Sequence, residues 1–241
     1  MQFQWIVLAV FLLAMVADHL VIWRSFAKRV EVDPAAARHA LWLRWGAMMW
    51  GCSALVGWLW VANGVALSSV GFAAPVGWRL WVPLVLGGAF VLLQASSALK
   101  LSRLSAPGDK LRAQLGDMGR IVPHVASEMP AFVLMSITAG FCEELLFRGF
   151  LIWVLQPLVG LWIAATLALV LFALGHAYQG RAGIVRTGLI GLVFTVIVIA
   201  TQSLWPAIVL HAAVDAMGGL IGWLIVREPV GAVASVKVMT P

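Results

Sequence analysis

Seven long apolar runs constrain this chain more than any other feature. They are Phe3–Trp23, Leu41–Val61, Leu80–Leu99, Phe132–Leu155, Leu161–Ala177, Ile184–Ala200 and Pro206–Val226. A helix rises about 1.5 Å per residue, so about 20 residues cross a hydrocarbon core of roughly 30 Å. In lipid an unpaired backbone group is too costly, so each run is predicted to be a helix. The expected fold is all-α: a polytopic membrane bundle of about seven transmembrane helices.

Composition agrees. Of the 241 residues, 63% are hydrophobic and 11% charged, and the mean hydropathy is +1.00. A soluble surface usually needs about 25% charged residues, and every polar stretch here is too short for a soluble domain. The formal net charge of +6 would also fit a nucleic-acid binder, but basic cytoplasmic loops explain the excess, and no nucleic-acid partner is expected. Cys52 and Cys142 lie in apolar runs without metal-binding spacing and read as small hydrophobes. The first run lacks a basic leader and is long for a cleaved signal, so it is expected to stay as a span.

Charge sets the expected orientation. Arg24, Lys28, Arg29, Arg38 and Arg44 flank the first connection, and Lys100, Arg103, Lys110, Arg112 and Arg120 follow the third span. Arg181 and Arg186 follow the fifth span, and Arg227 and Lys237 lie in the tail, whereas the opposite loops hold only Arg79. With seven spans all basic loops share one face. That face is expected to be cytoplasmic, with the N-terminus outside and the C-terminus inside, in what reads as a bacterial cytoplasmic membrane. The mixed segment Ser102–Glu128, broken by Pro107, Gly108, Pro123 and Pro130, is expected to lie along the interface as a short amphipathic piece. Tryptophans near span ends fit aromatic belts. The domain reading is 1–127 for three spans and the interfacial segment, 128–226 for a core of four spans, and 227–241 for a cytoplasmic tail.

Against this background, Glu143, Glu144 and Arg148 stand inside the fourth apolar run. Each charge at mid-membrane costs roughly 2.5–3.5 kcal/mol on insertion scales. Glu144 and Arg148 are four apart, on one face and in the favourable order for a pair. Glu143 points about 100° away without such a partner, so the expectation is that Arg148 holds Glu144 while Glu143 is free to act. Phe172 and His176, then His211 and Asp215, repeat the four-residue spacing downstream. Glu143 and His176 lie at similar distances from the Gln156–Gly160 turn, roughly 22–27 Å along their helices, which makes them expected partners. His211 follows the Gln202–Trp205 turn by only about 10 Å of rise. It would reach their level only in part, by recession of the turn over a short sixth span. Asp18 and His19 are read as structural residues reaching the interface, and His39 and His124 as solvated loop histidines.

Three ordered motifs, Glu143-Glu144-x-x-x-Arg148, Phe172-x-x-x-His176 and His211-x-x-x-Asp215, resemble those of the CPBP intramembrane proteases, which include the type II CAAX prenyl endopeptidases and the Abi proteins. Ser203-Leu-Trp-Pro-Ala-Ile looks like the family's lead-in to the third motif, and the resemblance covers roughly residues 128–220. It implies hydrolysis of a peptide bond in a membrane-embedded or membrane-tethered substrate. Glu143 and His176 would activate water, His211 and Asp215 would stabilise the oxyanion, and Glu144 and Arg148 would shape the site. Asp215 departs from the asparagine frequent there. An ionised aspartate cannot donate a hydrogen bond, so Asp215 would orient His211 or carry a proton itself. The resemblance leaves metal open. Glu143, His176 and His211 are the candidates for a zinc site, but no HExxH helix is present, and the metal-free reading is favoured, with no cofactor required. The competing expectations are a catalytically silent membrane binding or immunity protein of the same fold and, less favoured, a proton-coupled transporter.

Overall fold

The computed structural model describes residues 3–104 and 109–227. Among the described residues all regular structure is helical. Seven apolar helices carry the fold: α1 (Phe3–Arg29), α2 (Pro34–Ala62), α3 (Trp78–Ser102), α4 (Ala126–Val159), α5 (Leu161–Gly175), α6 (Ala177–Thr201) and α7 (Trp205–Val226). Six are long and apolar enough to cross a membrane, and α5 is the shorter apolar one. The chain is an integral, multi-pass membrane protein.

Buried fractions order the bundle. In the most apolar stretch of α4 50% of residues are buried, against 11% in α1 and in α3, so α4 is the central helix and the other two are peripheral. Leu13, Val85, Leu86, Leu92 and Leu134 are exposed on outward faces, which only a hydrocarbon solvent makes favourable.

Loops alternate between two ends. At one end Arg120 donates to Glu31 and to the Ala27 carbonyl, and Arg227 donates to the Ser102 carbonyl. At the other, the Leu204 amide donates to the Gly71 carbonyl at 2.7 Å, Ser203 Oγ to the Ala73 carbonyl at 2.8 Å, and Arg79 reaches Gln202. The described basic loop residues therefore gather at one end, away from Arg79. Lys237, Pro107 and Gly108 lie outside the described residues.

The helices are longer than their apolar runs, mostly at the basic end. α2 starts at Pro34, where Asp33 accepts from the Ala36 amide at 3.0 Å and Pro34 occupies the first turn. Arg38, His39 and Arg44 are thus helical rather than loop residues. α1 continues to Arg29 and α6 begins at Ala177, which places Arg181 and Arg186 on a helix. The sixth span is therefore not short, contrary to expectation. Hydropathy misses these turns because long cationic side chains at a helix end extend beyond the apolar layer. Pro130 sits in the first turn of a helix instead of breaking it, and the α4–α5 turn reduces to Gly160, whose φ of 77° suits glycine. The interfacial segment folds as two short helices, Asp109–Leu115 and Met118–Ile121.

Arg38 and Glu128 form a second buried ion pair, between α2 and the start of α4. Arg38 Nη2 donates to Glu128 Oε1 at 2.7 Å and Nε to both carboxylate oxygens at 3.1 and 3.2 Å. The His124 amide completes the carboxylate at 2.7 Å, and the His124 ring lies 2.8 Å from the Gly119 carbonyl. His124 is therefore a half-buried structural contact and not a solvated loop residue.

Candidate active site

The site begins at a change of helical form within α4. Met129–Glu143 is α-helical, and Glu144–Leu151 continues as a π-helix in which every residue is buried. Insertions of this type widen one stretch of helix and recur at functional sites. The two adjacent carboxylates part at this junction. Glu144 turns into the bundle and is fully buried, while Glu143 faces a cavity and keeps 17% of its side-chain surface exposed.

Glu144 is held from two helices. Its Oε1 accepts from Arg148 Nη1 at 2.9 Å and from His211 Nδ1, on α7, at 2.8 Å. Arg148 also donates to the Gly191 carbonyl at 3.0 Å and to Thr195 Oγ1 at 3.3 Å, both on α6. Its guanidinium lies 4.2 Å from the centre of the Phe172 ring on α5. One arginine thus ties α4 to α5 and α6, and the shared carboxylate adds α7. Distributing a buried charge over several partners is what makes its desolvation tolerable. Two glycines permit the approach. A Cβ on Gly140 would lie 2.8 Å from the Ala212 backbone nitrogen, and one on Gly191 would lie 2.8 Å from the Phe172 ring.

His211 does reach the glutamates, and the depth problem has a different solution from the one expected. The turn before α7 is tucked beneath the loop at Gly71–Ala73, and Leu204 is fully buried. Long-range burial of the turn, rather than a short α6, lets seven residues suffice. The His211 ring stacks on Phe194, with centroids 5.0 Å apart. Its Nε2 then lies 3.7 Å from Glu143 Oε2 and 3.6 Å from Asp215 Oδ2. Both separations exceed a hydrogen bond, and Glu143 Oε2 has no hydrogen-bond partner among the described residues although it is buried. Asp215, 41% exposed, sits towards the mouth.

His176 is the single residue between α5 and α6. Its Nδ1 lies 2.8 Å from the Phe172 carbonyl, which can only accept, so Nδ1 carries a proton and in the neutral ring Nε2 keeps the lone pair. Arg148 and Phe172 touch and are equidistant from Gly160, so the same hairpin register sets His176 across from Glu144. No hydrogen bond joins Glu143 and His176 directly, and the ring nitrogen nearest to Glu143 belongs to His211. Glu143, His176, His211 and Asp215 instead line one cavity of about 430 Å³ whose remaining walls are mostly apolar.

Asp18 is the residue that sequence reasoning missed. It was expected to reach the interface, but α1 runs on to Arg29 and carries Asp18 inward, onto the wall of the same cavity. The run of cations from Arg24 to Arg29, two turns further on, was the available signal. Among the described residues no three His, Cys, Asp or Glu side chains are grouped to hold a metal ion.

Residues 125–217 match the family model of the type II CAAX prenyl endopeptidases, Rce1-like. The likeness is to this segment and not to the chain as a whole. The segment contains the whole of the Glu143, His176, His211 and Asp215 constellation, and it leaves α1–α3 outside the match. No curated protein and no solved structure matches the chain.

Proposed function

We propose that the Rce1-like domain hydrolyses a peptide bond of a membrane-associated substrate, with Glu143 as the base that activates water. The observation that carries this reading is the buried, unpartnered Glu143 Oε2 facing a cavity shared with two histidines. A buried polar group without a partner is costly, and one aimed into a cavity is suited to hold a water.

In this scheme a water sits between Glu143 and His176 Nε2. Glu143 takes its proton as the oxygen attacks the scissile carbonyl carbon, and the carbonyl electron pair moves onto oxygen. A proton on His211 Nε2 stabilises that oxyanion, a role that needs a preorganised donor. Glu144 supports it by fixing the other ring nitrogen at 2.8 Å. Protonated Glu143 then returns the proton to the leaving amine as the C–N bond breaks, the usual exchange of base and acid roles. Asp215 orients His211 from the cavity side. The metal-free scheme uses only residues of this chain.

The substrate is a membrane-embedded or membrane-tethered protein or peptide. The basic end faces the cytoplasm by the positive-inside rule, and a bacterial inner membrane is the proposed location. The cavity reaches Leu115, Met118 and Arg186 at that end, so substrate enters from the cytoplasmic half. The test is a comparison of membrane-associated peptides in cells carrying the wild type or Glu143→Gln at equal protein level. Peptides that appear only with the wild type support hydrolysis; identical peptide profiles overturn it.

A further inference from the structure

The cavity has a polar subsite built outside the family-matched domain. Asp18 on α1 accepts from Trp45 Nε1 on α2 at 2.6 Å, and among the described residues this is its only side-chain hydrogen bond. Trp45 packs against Tyr178 with ring centroids 5.4 Å apart, and Tyr178 packs against His176 at 5.9 Å. Two aromatic rings therefore connect Asp18 to the site histidine. Gln94 on α3 lines the same cavity, and its Oε1 is buried without a hydrogen-bond partner. Asp18 and Gln94 come from the helices that the family match leaves out. Both present acceptor oxygens, and neither belongs to the hydrolytic scheme.

We infer that Asp18 is a specificity-determining subsite for a cationic group on the substrate, a Lys or Arg side chain next to the scissile bond. The inference rests on the protease reading for its use, and on the cavity alone for binding. An acceptor in a mostly apolar chamber selects for a donor, and a carboxylate selects for a charged one. The charged and titratable groups lining the cavity are Asp18, Glu143, Asp215, Arg186, His176, His211 and Tyr178. Arg186 is engaged by Gln179 Oε1 at 3.3 Å. The chamber therefore offers acidic positions to an incoming cation, and the one at Asp18 is separate from those needed for water activation.

The test uses the full chain in lipid nanodiscs and palmitoyl-anchored fluorescent peptides, identical except for Lys or norleucine at one position walked along the sequence. Binding is measured first, on Glu143→Gln so that no cleavage intervenes. At one or more positions the Lys peptide is expected to bind about tenfold more tightly than its norleucine counterpart. Asp18→Asn keeps an acceptor for Trp45 but loses the charge, and is expected to bring that ratio close to one, while Asp18→Glu retains it. Equal binding of Lys and norleucine peptides at every position overturns the inference, as does a preference that survives in Asp18→Asn. Cleavage of the same peptides by the chain with Glu143 intact is scored separately. A charge preference in binding without cleavage would sink the protease reading and leave the subsite standing; cleavage without any preference would do the reverse.

Discussion

Glu144 Oε1 accepts one hydrogen bond from Arg148 on its own helix and another from His211 on α7, at 2.9 and 2.8 Å. A single oxygen thereby fixes both the buried cation and the ring proposed to stabilise the oxyanion. Loss of Arg148 breaks its ties to α5 and α6 and leaves the fully buried Glu144 carboxylate with His211 as its one remaining side-chain donor among the described residues. Arg148→Ala is expected to destabilise the protein by about 3 kcal/mol or more. That is a fall of at least about 6 °C in the thermal midpoint for a chain of this size, measurable in detergent. An unchanged midpoint would contradict this role.

Gly140 sets the spacing between α4 and α7. A methyl group there would come within 3 Å of the Ala212 amide nitrogen, its side chain and the Ile208 carbonyl, and two of these contacts are backbone that cannot rotate away. Gly140→Ala is expected to cost about 1–3 kcal/mol and to reduce peptide cleavage by moving His211 away from the glutamates. The check is thermal stability and cleavage on the same preparation. A variant with wild-type values for both would show that the helices tolerate separation.

The Arg38–Glu128 pair should behave as a buried unit. Arg38→Ala strands Glu128 and is expected to cost about 3–5 kcal/mol, whereas replacing both residues by Leu should cost less than the sum of the single changes. A double-mutant cycle on thermal stability measures the difference. Simple additivity would mean the pair is not coupled.

Orientation is open to chemical labelling. Val76, in the α2–α3 loop, and Val32, between α1 and α2, are both strongly exposed and lie at opposite ends, whereas native Cys52 and Cys142 are buried. In intact cells an impermeant thiol reagent is expected to label Val76→Cys and not Val32→Cys. The reverse pattern would invert the assigned topology and move the cavity mouth to the outer face.

Much of the fold was legible because its signals are local. Hydropathy marks the seven helices, and the cations mark their shared end. Residues near span ends were harder to read. Arg38 and Asp18 lie close in sequence to solvated turns, but helices α2 and α1 extend past their apolar runs and draw both inward. In the site, the Glu144–Arg148 pair follows from four-residue spacing. The approach of His211 does not, because it depends on the Leu204 turn being buried under Gly71–Ala73, a contact across more than a hundred residues. The π-helical stretch that begins at Glu144 has no signature in composition either.

The central claim is that Glu143 performs the chemistry while Glu144 only builds the site. The most direct measurement is hydrolysis by purified chain in proteoliposomes, using a substrate peptide identified by the wild-type comparison, for wild type and Glu143→Gln. Glu143→Gln is expected to retain the wild-type thermal midpoint and to lose about 10²–10⁴-fold in rate, the usual range for a general base. A folded Glu143→Gln protein that cleaves at the wild-type rate would contradict the claim.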